Sequence, residues 1–226
     1  MESLEGISVI VPAAGVGLRM DSEVPKQYLE VAGKLILEHT ISAILALQPR
    51  QLIVVVSAAD EFYKTLPSIS KCRVSIGGLL RSDSVLAGLR SLDLAPNDWV
   101  MVHDAVRPCF RASDIFMLCH SLQDHEVGGL LGVPVADTIK HVDDGKVVQT
   151  IDRTHLWQAQ TPQMFRYSIL VNSLENANTL VTDEASAVEA AGFRPLMIRG
   201  HSDNIKVTTP DDLSLADHYL SRESSA

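Results

Sequence analysis

Two cations lie close together at the start of the chain, just after an apolar run. Residues 11–20 read VPAAGVGLRM and PKQ follows at 25–27, so Gly15 and Gly17 are followed by Arg19 and Lys26. Closely spaced glycines after a strand let backbone amides approach phosphate. The stretch is not a dinucleotide fingerprint: GxGxxG needs a third glycine, and position 20 is Met. Nor is it a hydrolase phosphate loop, since GxxxxGK[ST] does not occur. What remains is a loop of small residues, Ala13, Ala14 and Gly15, with two nearby cations that can neutralise a triphosphate or a developing charge. A surface loop with solvated cations would look the same in isolation.

Four further stretches carry groups of the same kind. HDAVRP at 103–108 puts Asp104 just after an apolar run, where a lone carboxylate suits Mg²⁺, which takes one or two protein oxygens and completes its shell with phosphate and water. An Asp capping a nearby turn or helix fits that position equally. His103 fits a packing or structural hydrogen-bonding role better than catalysis. Arg107 can pair with Asp104 or reach an anion. GGLLRSDSV at 77–85 offers Gly77 and Gly78 for close backbone approach and Ser84 as a hydroxyl at a helix start. That is also the chemistry of an ordinary strand-to-helix turn. Arg153 and Thr161 lie in RTHLWQAQTPQMF, and Lys206 closes DNIK. Together Arg19, Lys26, Arg107, Arg153 and Lys206 are unexpected in a chain with net charge −9 and pI near 5.3.

These groups need a frame. The runs at 7–11, 51–57, 72–76 and 99–103 read as buried strands, being short, β-branched and bounded by turn residues. Helical stripes separate them: Leu37, Ile41, Ile44 and Leu45, then Val85, Leu89 and Leu92. This alternation predicts an α/β fold with a Rossmann-like, mostly parallel twisted sheet and helices on both faces. Such sheets bind ligands at the carboxyl ends of their strands. After about residue 132 the pattern changes. Residues 134–155 read as two strands around DDGK, either a hairpin arm leaving the sheet or an edge hairpin. TDEASAVEAAG at 182–192 reads as a helix with Thr182 as N-cap and Gly192 as stop, and a last helix begins at Thr209–Pro210.

The bulk composition bounds the function. With 226 residues, 46% of them hydrophobic, the chain suits a single domain over 1–226. The acidic balance argues against nucleic acid or an anionic membrane as a partner. Three cysteines without a CxxC pair argue for a reducing compartment and against a structural zinc site. No signal-like start and no run of about 18 apolar residues is present, which predicts a cytoplasmic protein.

The order of PAAGVGLRM…PKQY, GG..R..SV..G, HDAVRP, D.R..LW.AQTPQ.F, TDEASAVE..G and DNIKVT.P.DL..A resembles the 2-C-methyl-D-erythritol 4-phosphate cytidylyltransferase family over about residues 7–220. The ribitol-5-phosphate cytidylyltransferases share the nucleotide motifs; Thr138 in ADTIK, DR..LW.A.TPQ and TDEAS favour the first family. The resemblance implies the nucleotide-diphospho-sugar transferase type of fold, with a protruding β-hairpin arm at about 134–155. It implies CMP transfer from CTP to methylerythritol phosphate in non-mevalonate isoprenoid biosynthesis. Ala13, Ala14, Gly15, Gly78, Ser84 and Ala105 would hold the cytidine nucleotide. Arg19, Lys26 and Lys206 would stabilise the triphosphate and the transition state, and Asp104 would hold Mg²⁺. Arg107, Thr138, Arg153, Thr161 and Thr182 would bind the alcohol phosphate, Arg153 from the partner subunit of a homodimer joined through the arm. Leu18 stands where some members have a basic residue, and Leu79 and Leu80 where polar or acidic residues often follow the double glycine. A non-catalytic nucleotide-binding protein is the alternative from another class; the presence of Lys26, Asp104 and Lys206 speaks against it.

Overall fold

The computed structural model describes residues 3–15, 24–177 and 181–223. Seven strands form the central sheet: β1 (Ile7–Pro12), β4 (Gln51–Val56), β5 (Arg73–Ile76), β6 (Trp99–Val102), β7 (Gly128–Pro134), β10 (Trp157–Arg166) and β11 (Leu196–Arg199). Their order across the sheet is β11-β7-β10-β6-β1-β4-β5. All pair in parallel except β10, which runs antiparallel to both neighbours, β6 and β7. Two short ladders lie apart from it: β2 (Glu30–Val31) with β3 (Lys34–Leu35), and β8 (Ile139–Asp143) with β9 (Lys146–Ile151).

Alternation along the central strands divides the core into two layers. Val9 and Val11 of β1, with Leu52, Val54 and Val56 of β4, face one layer, where α1 (Ile36–Ala46) and α3 (Ala112–Leu122) bury Leu37, Ile41, Ile115 and Leu118. Ile10, Ile53 and Val55 face the other, with α2 (Arg81–Arg90), α4 (Tyr167–Glu175) and α5 (Glu184–Ala190). Helices therefore cover both faces, as the strand–helix alternation predicts. α6 (Pro210–Glu223) packs on a third cluster with Val31, Val106 and Val207.

Three expectations change. β5 is not a buried strand; it is the sheet's edge, and Val74 and Ile76 are exposed. The N-cap of α5 is Asp183 rather than Thr182: its carboxylate accepts from Ser186 N at 3.0 Å, and Ser186 Oγ accepts from Asp183 N at 3.2 Å. β7 and β10, absent from the strands read in the sequence, complete the sheet. Between their ends Val135 N donates to Leu156 O at 3.0 Å, and the β8–β9 hairpin leaves the body there. Asp144 (φ 46°) and Gly145 (φ 72°) form its two-residue turn, the left-handed pair that Asp-Gly favours. Val142, Val147 and Val148 on the hairpin are exposed.

Candidate active site

The carboxyl ends of the parallel strands meet two adjoining cavities. The first is bordered by the loop after β1 with Ala13, Ala14 and Gly15, by Gly78 and Ser84 at the start of α2, and by Asp104 and Ala105 after β6. Lys26 and Lys206 complete it. The sequence thus foresaw nine of these lining residues, all brought together here. Arg19 lies outside the described residues.

Local structure explains the placement. The loop after β1 is tied back by Gln27, whose buried side chain donates to Ala13 O at 2.8 Å. The next residue, Tyr28, donates to Asp60 Oδ2 at 2.7 Å and stacks on Phe62, so the turn carrying Lys26 is anchored on its C-terminal side. At the other wall, a Cβ on Gly77 would stand 2.5 Å from Ser84 Oγ, and one on Gly78 would stand 2.4 Å from Asp83 Cβ. Only glycine lets the first turn of α2 close over this loop. α2 itself packs against the sheet through Gly88, where a Cβ would approach Ile10 Cγ2 at 2.9 Å and Val55 Cγ2 at 3.0 Å. Leu79 and Leu80 stand on the cavity rim, Leu79 with its side chain fully in solvent (101% exposed). Lys206 is placed by its successor: Val207 is buried under α6, and its N–H donates to Val106 O at 2.9 Å.

The second cavity lies between Arg107, Thr161, Gln163 and the Thr182–Asp183 turn. Arg81, Asp104 and Lys206 line both cavities and so form their common wall. Because β10 is reversed, its beginning rather than its end reaches this edge, and Thr161 Oγ1 accepts from Asp104 N at 3.0 Å. Gln163 bonds Asp183 Oδ2 and Ala185 N, both at 2.8 Å, fixing the turn before α5. Arg107 Nη1 donates to Asn204 O at 2.7 Å, and Asn204 Nδ2 to Thr161 O at 2.8 Å. Thr138 and Arg153 are not brought to either cavity within the chain. Both are exposed on the arm, where Arg153 Nη1 donates to Ala136 O.

The common wall is an ion cluster that sequence reasoning only half saw. Arg81 donates to Asp104 Oδ1 through Nε (3.1 Å) and Nη2 (2.9 Å), and to Glu184 through Nη1 (2.6 Å) and Nη2 (3.1 Å). Lys206 Nζ sits 2.8 Å from Asp104 Oδ2, and Arg107 Nε 3.6 Å from the same oxygen. Three cations and two carboxylates leave the cluster with a surplus of one positive charge, in an acidic chain. Burial would raise the Asp104 carboxyl, but Arg81, Lys206 and Arg107 outweigh it and hold the group well below the usual carboxylate range. Burial pushes Glu184 upward, against the pull of Arg81. His103 is buried and its ring meets Arg107 O at 3.0 Å and the edge of Phe110, the packing role anticipated for it; burial lowers its pKa to about 4. Arg81 and Glu184 escaped notice, although one signal existed. An arginine in the first turn of a helix opposes the macrodipole and needs a carboxylate partner.

Among the described residues no helix is long and apolar enough to cross a membrane. The family model for 2-C-methyl-D-erythritol 4-phosphate cytidylyltransferase matches residues 7–222. The enzyme of that name from Klebsiella pneumoniae subsp. pneumoniae is 45% identical over 225 residues, covering 96% of this chain and 94% of its own. Its namesake from Mannheimia succiniciproducens is 47% identical over 224 residues, with 96% and 97% covered. A crystal structure of 4-diphosphocytidyl-2C-methyl-D-erythritol synthase superposes with a TM-score of 0.84 at 37% identity, over 95% of this chain and 97% of that one. The Thermus thermophilus cytidylyltransferase does so with a TM-score of 0.81 at 28% identity, over 95% and 98%. With the matched model spanning both cavities and the wall between them, the chain belongs to the 2-C-methyl-D-erythritol 4-phosphate cytidylyltransferase family.

Proposed function

We propose that this protein transfers CMP from CTP to 2-C-methyl-D-erythritol 4-phosphate, giving 4-diphosphocytidyl-2-C-methyl-D-erythritol and pyrophosphate in isoprenoid precursor biosynthesis. The observation that carries the reading is the pair of cavities sharing the Arg81–Asp104–Lys206 wall. CTP occupies the first, with cytidine against the Ala13–Gly15 and Gly78–Ser84 backbone. The alcohol phosphate occupies the second, near Arg107, Thr161 and Thr182. The reacting phosphates then meet at the wall.

The chemistry asks little of a general base. The second pKa of a phosphomonoester is about 6, so the attacking oxygen is already deprotonated near neutral pH. The obstacle is mutual repulsion of two anions and charge growing at the α-phosphorus. Lys26 and Lys206, cations already present at the cavity, counter it, with Arg19 as the third cation that the family resemblance implies. Lys206 is 40% exposed and paired to Asp104 through a long flexible stem, so it can turn from the carboxylate to a phosphate.

The donor set also fits Mg²⁺. Asp104 is the carboxylate at the shared wall that reaches both cavities, its neighbours keep it ionised, and one or two protein oxygens plus phosphates suffice for this ion. Bound there, the ion would neutralise phosphate charge.

The exposed arm, with Thr138 and Arg153 away from their own chain's cavities, supports a homodimer in which each arm serves the partner's site. The acidic, sparsely cysteine-bearing composition supports a cytoplasmic setting. Pyrophosphate release from CTP, measured with methylerythritol phosphate and with ribitol 5-phosphate in parallel, tests the activity. Turnover with the first and not the second is expected; preference for ribitol 5-phosphate, or no turnover with either, refutes the reading.

A further inference from the structure

Glu184 lines neither cavity, is 1% exposed, and has its carboxylate wholly occupied by Arg81. Burying a carboxylate behind a reaction site is costly unless it is paired. Its effect on the site passes through one guanidinium. With Nη1 and part of Nη2 held by Glu184, the Arg81 plane is fixed, and Nε and Nη2 close on one oxygen of Asp104, Oδ1. The other oxygen, Oδ2, is thereby left toward Lys206 and Arg107. The same bridge joins the first turn of α2, beside the nucleotide loop, to the first turn of α5, beside Thr182.

We propose that Glu184 is a positioning residue of the transfer reaction: through Arg81 it sets which carboxylate oxygen Asp104 presents at the wall between the two cavities, and so where Lys206 waits. A lysine at position 81 can neutralise one carboxylate but cannot fork to both, because its ammonium is a point charge without the guanidinium's rigid donor plane. A bridge that only tied two helices together would affect how much protein folds. A positioning bridge affects turnover in the protein that has folded.

The proposal rests on the cytidylyl-transfer reading, and the two are tested by different quantities. Wild-type turnover tests that reading; the ratio of variant to wild type tests the bridge. Glu184→Gln, Arg81→Lys and the double variant are assayed by pyrophosphate release, with kcat normalised to the CTP-binding sites counted by calorimetry. Each single variant is expected to lose about tenfold to a hundredfold in kcat per site, the scale of a small misplacement of reacting groups, while KM for CTP stays within about threefold. The double variant should be no slower than the slower single one, since both act through one bridge. Should Glu184→Gln not fold, Arg81→Lys, which keeps the cation, carries the test. A kcat per site within about twofold of wild type, single losses that multiply in the double variant, or loss of CTP binding in both single variants each overturns the proposal in favour of a purely structural tie.

Discussion

Lys26 lines the first cavity on a turn held by Gln27 and Tyr28. A cation fixed beforehand gains most where charge grows, so Lys26→Ala should lower kcat by about 10² to 10³ and raise KM for CTP far less. Steady-state pyrophosphate release checks this. Arg153→Ala should instead raise KM for the alcohol phosphate with little change in kcat; a pure kcat effect there would count against its binding role. Residue types in local patterns made most of the first cavity legible: small residues after β1, paired glycines before α2 and a carboxylate after β6 each obey a short-range rule. Arg81 and Glu184 were not legible in that way. Their partners lie 23 and 103 positions apart, and only the fold brings them together. Residue type alone points to Thr182 as the cap of α5; the cap is its neighbour Asp183, whose carboxylate accepts from Ser186 N and also from Gln163 across the site.

At the scale of elements, α2 packs closely on the sheet through Gly88. Gly88→Ala adds helix propensity but drives a methyl into Ile10 and Val55, so a net loss of about 1–3 kcal/mol is expected, read as a lower urea midpoint. The parallel strands β1, β4 and β6 could be read from continuous apolar runs because they are buried on both faces. β7 contains three glycines and β10 mixes Gln and Thr with apolar residues, so neither carries that pattern. β10's polar residues are there because the strand supplies Thr161 and Gln163 to the site as well as Met164 and Phe165 to the core. β5 read as a buried strand because the run is short, holds Val74 and Ile76 and is bounded by turn residues, but nothing in that stretch says whether another strand lies beyond it. The β8–β9 hairpin was legible through Asp144-Gly145. Replacing residues 139–151 with a short Gly-rich linker should leave a folded, monomeric body by light scattering, on the reading that the arm joins two subunits.

The whole molecule should weaken in mild acid. His103 is buried and its pKa falls from 6.5 to about 4, so the unfolded chain binds the proton first. Its neutral burial favours the native state fully above pH 6.5, and that contribution is lost as pH falls from there to 4, by about 3 kcal/mol. Glu184, raised by burial, works in the opposite sense around its own titration, so the comparison should isolate His103. Urea midpoints of wild type and His103→Gln between about pH 7 and 4 should converge as pH drops. Below about pH 4 the depressed Asp104 carboxyl adds a further loss in both proteins.

The single reversed strand has one more consequence. β7 ends and β10 begins on the same edge of the sheet, the edge that carries the two cavities, so the hairpin between them is rooted beside the chemistry and not across the molecule from it. If a partner's arm completes each site, mass action then governs catalysis: diluting the enzyme below its dimer dissociation constant should lower the activity per chain in step with the dimer fraction. Serial dilution at saturating substrate, compared with the dimer fraction from sedimentation, reads this directly. Activity per chain that stays constant while the dimer falls apart would show that each protomer works alone.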